Sequence, residues 1–295
     1  MSTEVSKVKK EAVAGLTAGT ITTVLSHPLD LLKLRIQLSV TKPVGTTYYQ
    51  LAQDVFKGTG LLKEAYRGLG ISLLGNSLAW GLYFGLYRYF KDVALNYCYP
   101  GSDTVGGLKD SKLSSSMYLI TAGFSGALTS VLTNPVWVVK TRIMATSAKG
   151  PYKSTLEGFY RIYRNEGLGA FWKGLVPSLF TVSQGAIYFS LYDTLKFHYL
   201  HTSRDNTARK LTAFEIIAIT CVSKMLSVTA VYPLVLLKTN LQDLGSKLSI
   251  KSLIKTVYSS RGLTGFYRGL FAHLIRAIPS TCVTFFVYEN TMHYL

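Results

Sequence analysis

Three apolar stretches recur along the chain, each interrupted by a proline and followed at once by basic charge. They are GTITTVLSHPLDLLKLR (Gly19–Arg35), SGALTSVLTNPVWVVKTR (Ser125–Arg142) and CVSKMLSVTAVYPLVLLKTN (Cys221–Asn240). Each is too long for a strand and reads as a helix. None reaches the ~20 clean apolar residues of a helix surrounded by lipid, because Gly, Thr, Ser and Pro break the run. Helices of this kind keep one wet face, as around a polar pore or cavity. Between the apolar stretches lie polar segments with helical spacing: YYQLAQDVF, STLEGFYRIYRNEG and SLIKTVYSSRG. They predict short amphipathic helices lying at a membrane surface.

The stretches are copies of one another. PLDLLKLR (Pro28–Arg35), PVWVVKTR (Pro135–Arg142) and PLVLLKTN (Pro233–Asn240) each carry Lys five residues after Pro. A second phrase follows each: AYRGL (Ala65–Leu69), FWKGL (Phe171–Leu175) and FYRGL (Phe266–Leu270), with Pro-to-Gly gaps of 40, 39 and 36 residues. A two-part pattern repeated three times at one spacing marks internal repeats. The prediction is an all-α membrane protein, one domain over residues 1–295, with repeats at 8–100, 113–201 and 210–295. Each repeat contributes a Pro-kinked transmembrane helix, a short surface helix and a second transmembrane helix. That gives six spans with both termini on one side.

Composition narrows the function classes. Lys+Arg outnumber Asp+Glu by 32 to 15, a net charge of +17, and 48% of residues are hydrophobic. The cations fall between apolar segments, not on a polar domain or tail, so nucleic acid is not the expected partner. Basic loops facing anionic lipid fit better. Cys98, Cys221 and Cys282 are isolated and imply neither a disulfide framework nor a zinc site. The five histidines are scattered, no nucleophile–base set or phosphate-cradling loop stands out, and GLTAG looks like a packing motif. Catalysis and metal binding are therefore not expected. MSTEVSKVKKEAVAG lacks a signal-peptide core, so targeting information is expected to be internal.

The thrice-repeated P-x-[DE]-x-x-[KR]-x-[KR] followed by aromatic-[KR]-Gly resembles the mitochondrial carrier family over essentially the whole chain. PVWVVKTR, AWGLYFGLY (Ala79–Tyr87), SQGAIYF (Ser183–Phe189), SKM (Ser223–Met225) and RAIPSTCVTFFVYEN (Arg276–Asn290) look most like the fungal FAD carriers. Folate, NAD and pyrimidine-nucleotide carriers are the neighbouring alternatives. The resemblance implies a pseudo-threefold six-helix barrel, a scaffold that a channel or proton-leak protein can also use. It further implies alternating access through two gates, a mitochondrial inner-membrane location, termini toward the intermembrane space, and a monomer. FAD is then a transported substrate, a small anionic aromatic molecule, and not a prosthetic group. Membrane lipids, cardiolipin among them, are the other implied partners.

The resemblance also assigns residues. The matrix gate comprises Pro28, Asp30, Lys33 and Gln37, then Pro135, Trp137 and Lys140, then Pro233, Lys238 and Gln242. In the family's pairing, Asp30 meets Lys140, while Trp137 and Val235 stand where acids are expected, leaving Lys33 and Lys238 without one. Gln37 and Gln242 match the glutamines that brace such pairs, and Met144 takes that position in the second repeat. The cytoplasmic gate comprises Arg88, Lys91, Asp193, Lys196 and Glu289, with Lys91–Asp193 and Lys196–Glu289 as expected pairs.

Twelve and thirteen residues before the acidic position of each even helix lie Gly75/Asn76, Phe180/Thr181 and Arg276/Ala277. In the family these are substrate contact points. Helical spacing extends them to Asn76, Trp80 and Tyr83, to Thr181, Gln184 and Tyr188, and to Arg276 and Ser280. Rings stack on flat heterocycles and guanidinium forks onto phosphate or carboxylate. Lys224 joins this set, because a lysine inside an apolar segment must reach water, a partner or a ligand. In the other repeats its place is taken by Gly19 and Gly126, where small residues are expected to let helices approach.

Overall fold

The computed structural model describes residues 2–41, 49–51, 53, 61–98, 113–147, 150–202, 212–243 and 249–294. Side chains are described among these from residue 15 on, apart from 16, 61, 115, 201, 202, 213, 214, 278, 281, 282, 285, 288, 289 and 292–294. The helices are α1 (Ser2–Leu38), α2 (Leu61–Ala65), α3 (Leu69–Cys98), α4 (Ser115–Ala145), α5 (Thr155–Glu166), α6 (Leu175–Thr181), α7 (Gln184–Thr202), α8 (Ala213–Gln242), α9 (Ile250–Arg261) and α10 (Leu270–Tyr294). No strand occurs among the described residues. Among the described residues three segments are long and apolar enough to cross a membrane: Leu62–Cys98, Ser116–Ala145 and Glu215–Gln242, with mean hydropathy 1.3, 1.2 and 1.6. The remaining long elements, α1, the α6–α7 pair and α10, complete three pairs and carry more polar positions.

Local sequence sets the helix ends. Thr212 and Glu215 form a reciprocal capping box at the start of α8. Ser154 caps α5 and Ser249 caps α9, in each case through the side-chain oxygen. Both amphipathic helices turn an apolar face inward, Ile162 from α5 and Leu253 and Val257 from α9. The corresponding segment of the first repeat lies mostly outside the described residues.

The prolines do not end their helices: Pro28, Pro135 and Pro233 lie inside α1, α4 and α8. What fixes each bend is the residue just before the proline. His27 Nε2 lies 2.9 Å from the carbonyl oxygen of Arg67. Asn134 Nδ2 donates to the carbonyls of Phe171 (2.7 Å) and Lys173 (3.2 Å). The Tyr232 hydroxyl donates to the carbonyl of Arg268 at 2.8 Å. Three different side chains thus make the same tie, from the kink to the basic residue of the second phrase. All three are fully buried. In the first and third repeats the ring also stacks on the aromatic of that phrase, His27 on Tyr66 and Tyr232 on Tyr267.

The glycine that follows the basic residue closes the ring of repeats. Gly68, Gly174 and Gly269 all have positive φ, at 80°, 74° and 86°, a conformation that only glycine adopts at little cost. A Cβ at these positions would meet Met144, Lys238 and Gln242, and Tyr232 and Ile36, at 2.9–3.0 Å. Each repeat's glycine therefore sits against a proline-bearing helix, and for Gly68 and Gly174 it is that of the next repeat. Gly269 touches both its own repeat and the first, so the contacts run round a closed cycle.

The proline-bearing helices meet one another beyond their kinks. Leu31, Val138 and Leu236, each three residues after its proline, are all 0% exposed. Leu31 packs against Met144 of α4, whereas Val138 and Leu236 belong to two other, separate cores. At their other halves the contacts among the described residues join neighbouring helices, such as Thr22–Thr284 (2.9 Å), Phe90–Phe124 and Tyr199–Glu215. The barrel is closed at one end and widens toward the other.

Replacing Asn134 by Leu leaves two buried carbonyls without a donor, a loss of roughly 1–3 kcal/mol for each group. The expected outcome is a lowered unfolding temperature of the purified protein in detergent, while a surface control such as Tyr160→Ser leaves it unchanged.

Candidate functional site

At the closed end the proline-bearing helices are joined by buried hydrogen bonds. Gln37, 2% exposed, donates from Nε2 to the Tyr232 hydroxyl at 3.2 Å and accepts from Thr239 at 3.2 Å. Asn240 donates to the Gln37 carbonyl at 3.2 Å. Gln242, also 2% exposed, accepts from Thr141 at 3.0 Å and lies 3.5 Å from Asn134 Oδ1. These glutamines therefore bridge α1 to α8 and α8 to α4 through hydroxyls and amides, not across ion pairs. Met144 occupies the third position, fully buried against Leu31.

The expected Asp30–Lys140 pair is not made. Asp30 is taken by Arg276, whose Nη2 lies 3.1 Å from Oδ2, tying α1 to α10. Lys140 rests over the ring of Trp137, 4.9 Å from its centroid. The physical reason is local: the indole stands one helical turn before Lys140 on the same helix and offers its negative π face. Trp137 is fixed in turn by a bond from Nε1 to Thr133 Oγ1 at 3.1 Å and by packing over Gly75, whose added Cβ would fall 3.6 Å from the ring. Lys33 and Lys238 stand at the matching positions of α1 and α8, half-buried. Lys33 lies within electrostatic reach of Asp30, Lys140, Lys238 and Arg276.

Around this floor the expected contact residues come from five elements, α3, α6, α7, α8 and α10. Asn76 Nδ2 donates to Thr23 Oγ1 at 3.3 Å. Tyr83 and Tyr87 stack at 6.1 Å, while Trp80, 62% exposed, stacks on Phe84 at the margin of the same face. Lys224 places its ammonium 5.5 Å from the centroid of the Tyr188 ring, linking α8 to α7. Ser280 bonds back to the Arg276 carbonyl at 2.8 Å. The sequence does not signal the break between α6 and α7, which lies between Thr181 and Gln184. The hydroxyls of Thr181 and Ser183 bond to the carbonyls of Ser178 and Phe180, competing with the helix ladder. Val182 sits in the break, and its Cγ1 lies 2.9 Å from where a Gly126 Cβ would be. The small residue at Gly126 does permit close approach. At Gly15 and Gly19 no atom of the described residues lies within 4 Å of an added Cβ.

At the open end the Lys91–Asp193 pair is not formed. Lys91 lies over the Tyr118 ring at 5.8 Å, Lys196 over Tyr192 at 5.9 Å, and Asp193 and Arg88 are exposed. Each lysine finds the neighbouring ring on its own side, because the helices that would supply the acids diverge here. The side chain of Glu289 lies outside those described.

Sequence reasoning also missed a second set of ion pairs below the floor. Arg142, with its side chain 0% exposed, is bidentate to Glu166, with Nη2–Oε2 at 3.0 Å, and Lys173 reaches the same carboxylate at 2.8 Å. Arg35 pairs with Glu64 at 3.1 Å. In the third repeat Asn240 replaces the arginine and Arg261 stands where Glu166 does, so both members change together. Aligning these positions across repeats would have found the exchange.

Comparison with known proteins gives three matches to the family described as mitochondrial carrier protein, over residues 5–97, 111–203 and 209–295. The chain is 46% identical to the mitochondrial FAD carrier protein of Saccharomyces cerevisiae, across 98% of this chain and 97% of that protein. It is 33% identical to a chloroplastic folate transporter of Arabidopsis thaliana, across 97% and 95%. A mitochondrial nicotinamide adenine dinucleotide transporter of the same plant is 31% identical, across 98% and 80%.

Burial alone would raise the Glu166 carboxyl, but bonds from Arg142 and Lys173 hold it below the ordinary carboxylate value. Its stabilising contribution is therefore full above the unfolded value and is lost as pH falls through the folded one. Glu166→Gln, which strands a buried guanidinium, is expected to cost about 3 kcal/mol. Thermal unfolding from pH 7 down to pH 3 should show a steep acid limb in the native protein that is flattened in the variant.

Proposed function

Because the chain belongs to the mitochondrial carrier family, we propose that it carries FAD across the mitochondrial inner membrane by alternating access. Both termini face the intermembrane space, and the chain acts as a monomer, by transport and not catalysis. FAD is cargo here and not a resident group. The observation that carries this reading is the pairing, around one cavity, of stacking surfaces with cations. The Tyr83–Tyr87 ladder, Trp80 and Tyr188 offer faces for a flat heterocycle. Lys224 and Arg276 offer charge for the pyrophosphate. Asn76, Thr181, Gln184 and Ser280 supply the amides and hydroxyls that orient such a ligand. The high identity to a FAD carrier supports the flavin nucleotide over the NAD and folate alternatives.

In this reading the closed end is the matrix gate. Pro28, Pro135 and Pro233 set its geometry, and Lys33, Lys140 and Lys238 make it electropositive. Arg88, Lys91, Asp193, Lys196 and Glu289 belong to the cytoplasmic gate, which stands open when the matrix gate is shut. Membrane lipid is the second partner. A cleft of about 420 Å³ lined by Lys63, Arg67, Tyr152 and Lys153 at the start of α5 suits an anionic headgroup such as that of cardiolipin.

Reconstitution into liposomes with FAD, FMN, riboflavin, folate, NAD, UTP and ATP tests the reading. Saturable uptake with FAD preferred is expected; uptake linear in concentration would overturn carriage. Saturable uptake of NAD or UTP in preference to FAD would transfer the site to that substrate. Lys224→Ala removes a charge-assisted contact of roughly 1.5–3 kcal/mol and should raise KM for FAD about tenfold or more. Wild-type uptake in that variant would remove Lys224 from the site.

A further inference from the structure

Trp137 belongs to the gate by its place in the motif, two residues after Pro135, yet its neighbour belongs to the binding surface. Asp30, Trp137 and Val235 hold that place in the three repeats. Gly75, Phe180 and Arg276 each lie thirteen residues before the acidic position of an even helix. The structure joins members of the two sets across the junctions between repeats. Asp30 meets Arg276 between α1 and α10, with Nη2–Oδ2 at 3.1 Å. Trp137 meets Gly75 between α4 and α3: a Cβ on Gly75 would lie 3.6 Å from Cη2 and Cζ3 of the indole, and 3.2 Å from Val136 Cγ1. An acid against an arginine and an indole against a glycine are thus one contact made at two junctions.

Gly75 presents no side chain at this contact position, whereas Phe180 and Arg276 do, and the indole from α4 takes up the space. The buried Thr133 holds the ring in place by accepting from Nε1 at 3.1 Å. The ring is only half-buried. Lys140 lies over it at 4.9 Å and within electrostatic reach of Asp30 and Arg276, so that face of the ring looks across the floor toward α1 and α10. A lysine on its flexible stem gives way to a flat ring and can turn to the phosphate which that ring carries. Along α3 the Tyr83–Tyr87 stack begins eight residues after Gly75, about 12 Å nearer the open end at the helical rise per residue. Two stacking stations at different depths, in a cavity whose cations include Arg276 and Lys224, match a ligand with two rings joined through a pyrophosphate. We propose that Trp137 is a substrate-binding residue that supplies from α4 the contact Gly75 lacks, and that it makes the site select a dinucleotide over a mononucleotide. Which dinucleotide is taken rests on the flavin-nucleotide reading above.

A plug need only fill volume, whereas a stacking face must be flat. Trp137→Met keeps an apolar side chain that fills space and removes the ring; Trp137→Phe keeps a ring. In proteoliposomes of the full chain, Trp137→Met should lower kcat/KM for FAD about tenfold and that for FMN much less, so that the preference for FAD over FMN collapses. Trp137→Phe should keep most of that preference. Equilibrium binding of FAD and FMN to the detergent-purified protein should show the same loss, free of any effect on gate motion. Gly75→Val leaves the indole in the chain but pushes it off its seat, and should also lower the preference; it decides the matter where Trp137→Met lowers the unfolding temperature. The proposal is overturned if a folded Trp137→Met protein keeps the native ratio of FAD to FMN, if it loses both ligands equally, or if Trp137→Phe loses as much as Trp137→Met. Should the native protein prefer NAD to FAD, and Trp137→Met erase its preference for NAD over nicotinamide mononucleotide, the assignment stands and the flavin reading falls.

Discussion

The tie between the residue before each proline and the carbonyl of the basic residue in the second phrase organises this barrel. A proline in a helix interior removes one backbone hydrogen bond and bends the chain, but a bend by itself has no fixed direction in the bundle. His27, Asn134 and Tyr232 give it one by reaching Arg67, Lys173 and Arg268 across the repeat. The glycine next in sequence then lets a proline-bearing helix come within van der Waals distance. Kink, tie and close approach together bring the three helix ends to one point, and the floor of the cavity exists because of that convergence.

Closure at that point does not depend on a ring of ion pairs. Hydrogen-bonded glutamines join the three helices instead, Gln37 linking α1 to α8 and Gln242 linking α8 to α4. These contacts carry no net charge. The lysines above them are left to other partners: a ring for Lys140 and the cavity side for Lys33 and Lys238. A closed end built this way can separate without breaking buried ion pairs between the three proline-bearing helices, whose loss would be costly. The strong ion pairs lie lower, where Arg142 and Glu166 hold α5 to α4 within a single repeat.

The cavity itself is electropositive. Lys33, Lys140, Lys238 and Lys224 are accompanied by one acid, Asp30, which is shared with Arg276. Clefts lined by one sign of charge raise the local concentration of the opposite sign and hasten its capture. The aromatic faces of α3 and α7 add affinity for a flat ligand without adding charge. Electrostatics thus selects an anion and stacking selects its shape.

The sequence by itself determined the repeats, the all-helical architecture and the placement of the prolines within their helices. All of these follow from periodicity and from residue types that recur at equal spacing, which a linear text displays. It also showed that Trp137 stands where an acid is expected. The tertiary structure alone decided which charges meet. Asp30 could reach Lys140 or Arg276, and only the relative positions of α1, α4 and α10 select the arginine. The ties before the prolines were hidden for a related reason: His, Asn and Tyr share no chemistry in sequence, and become equivalent only once folding brings each to the same carbonyl. Pairing depends on distances between segments far apart in the chain, and those distances are a property of the packed helices.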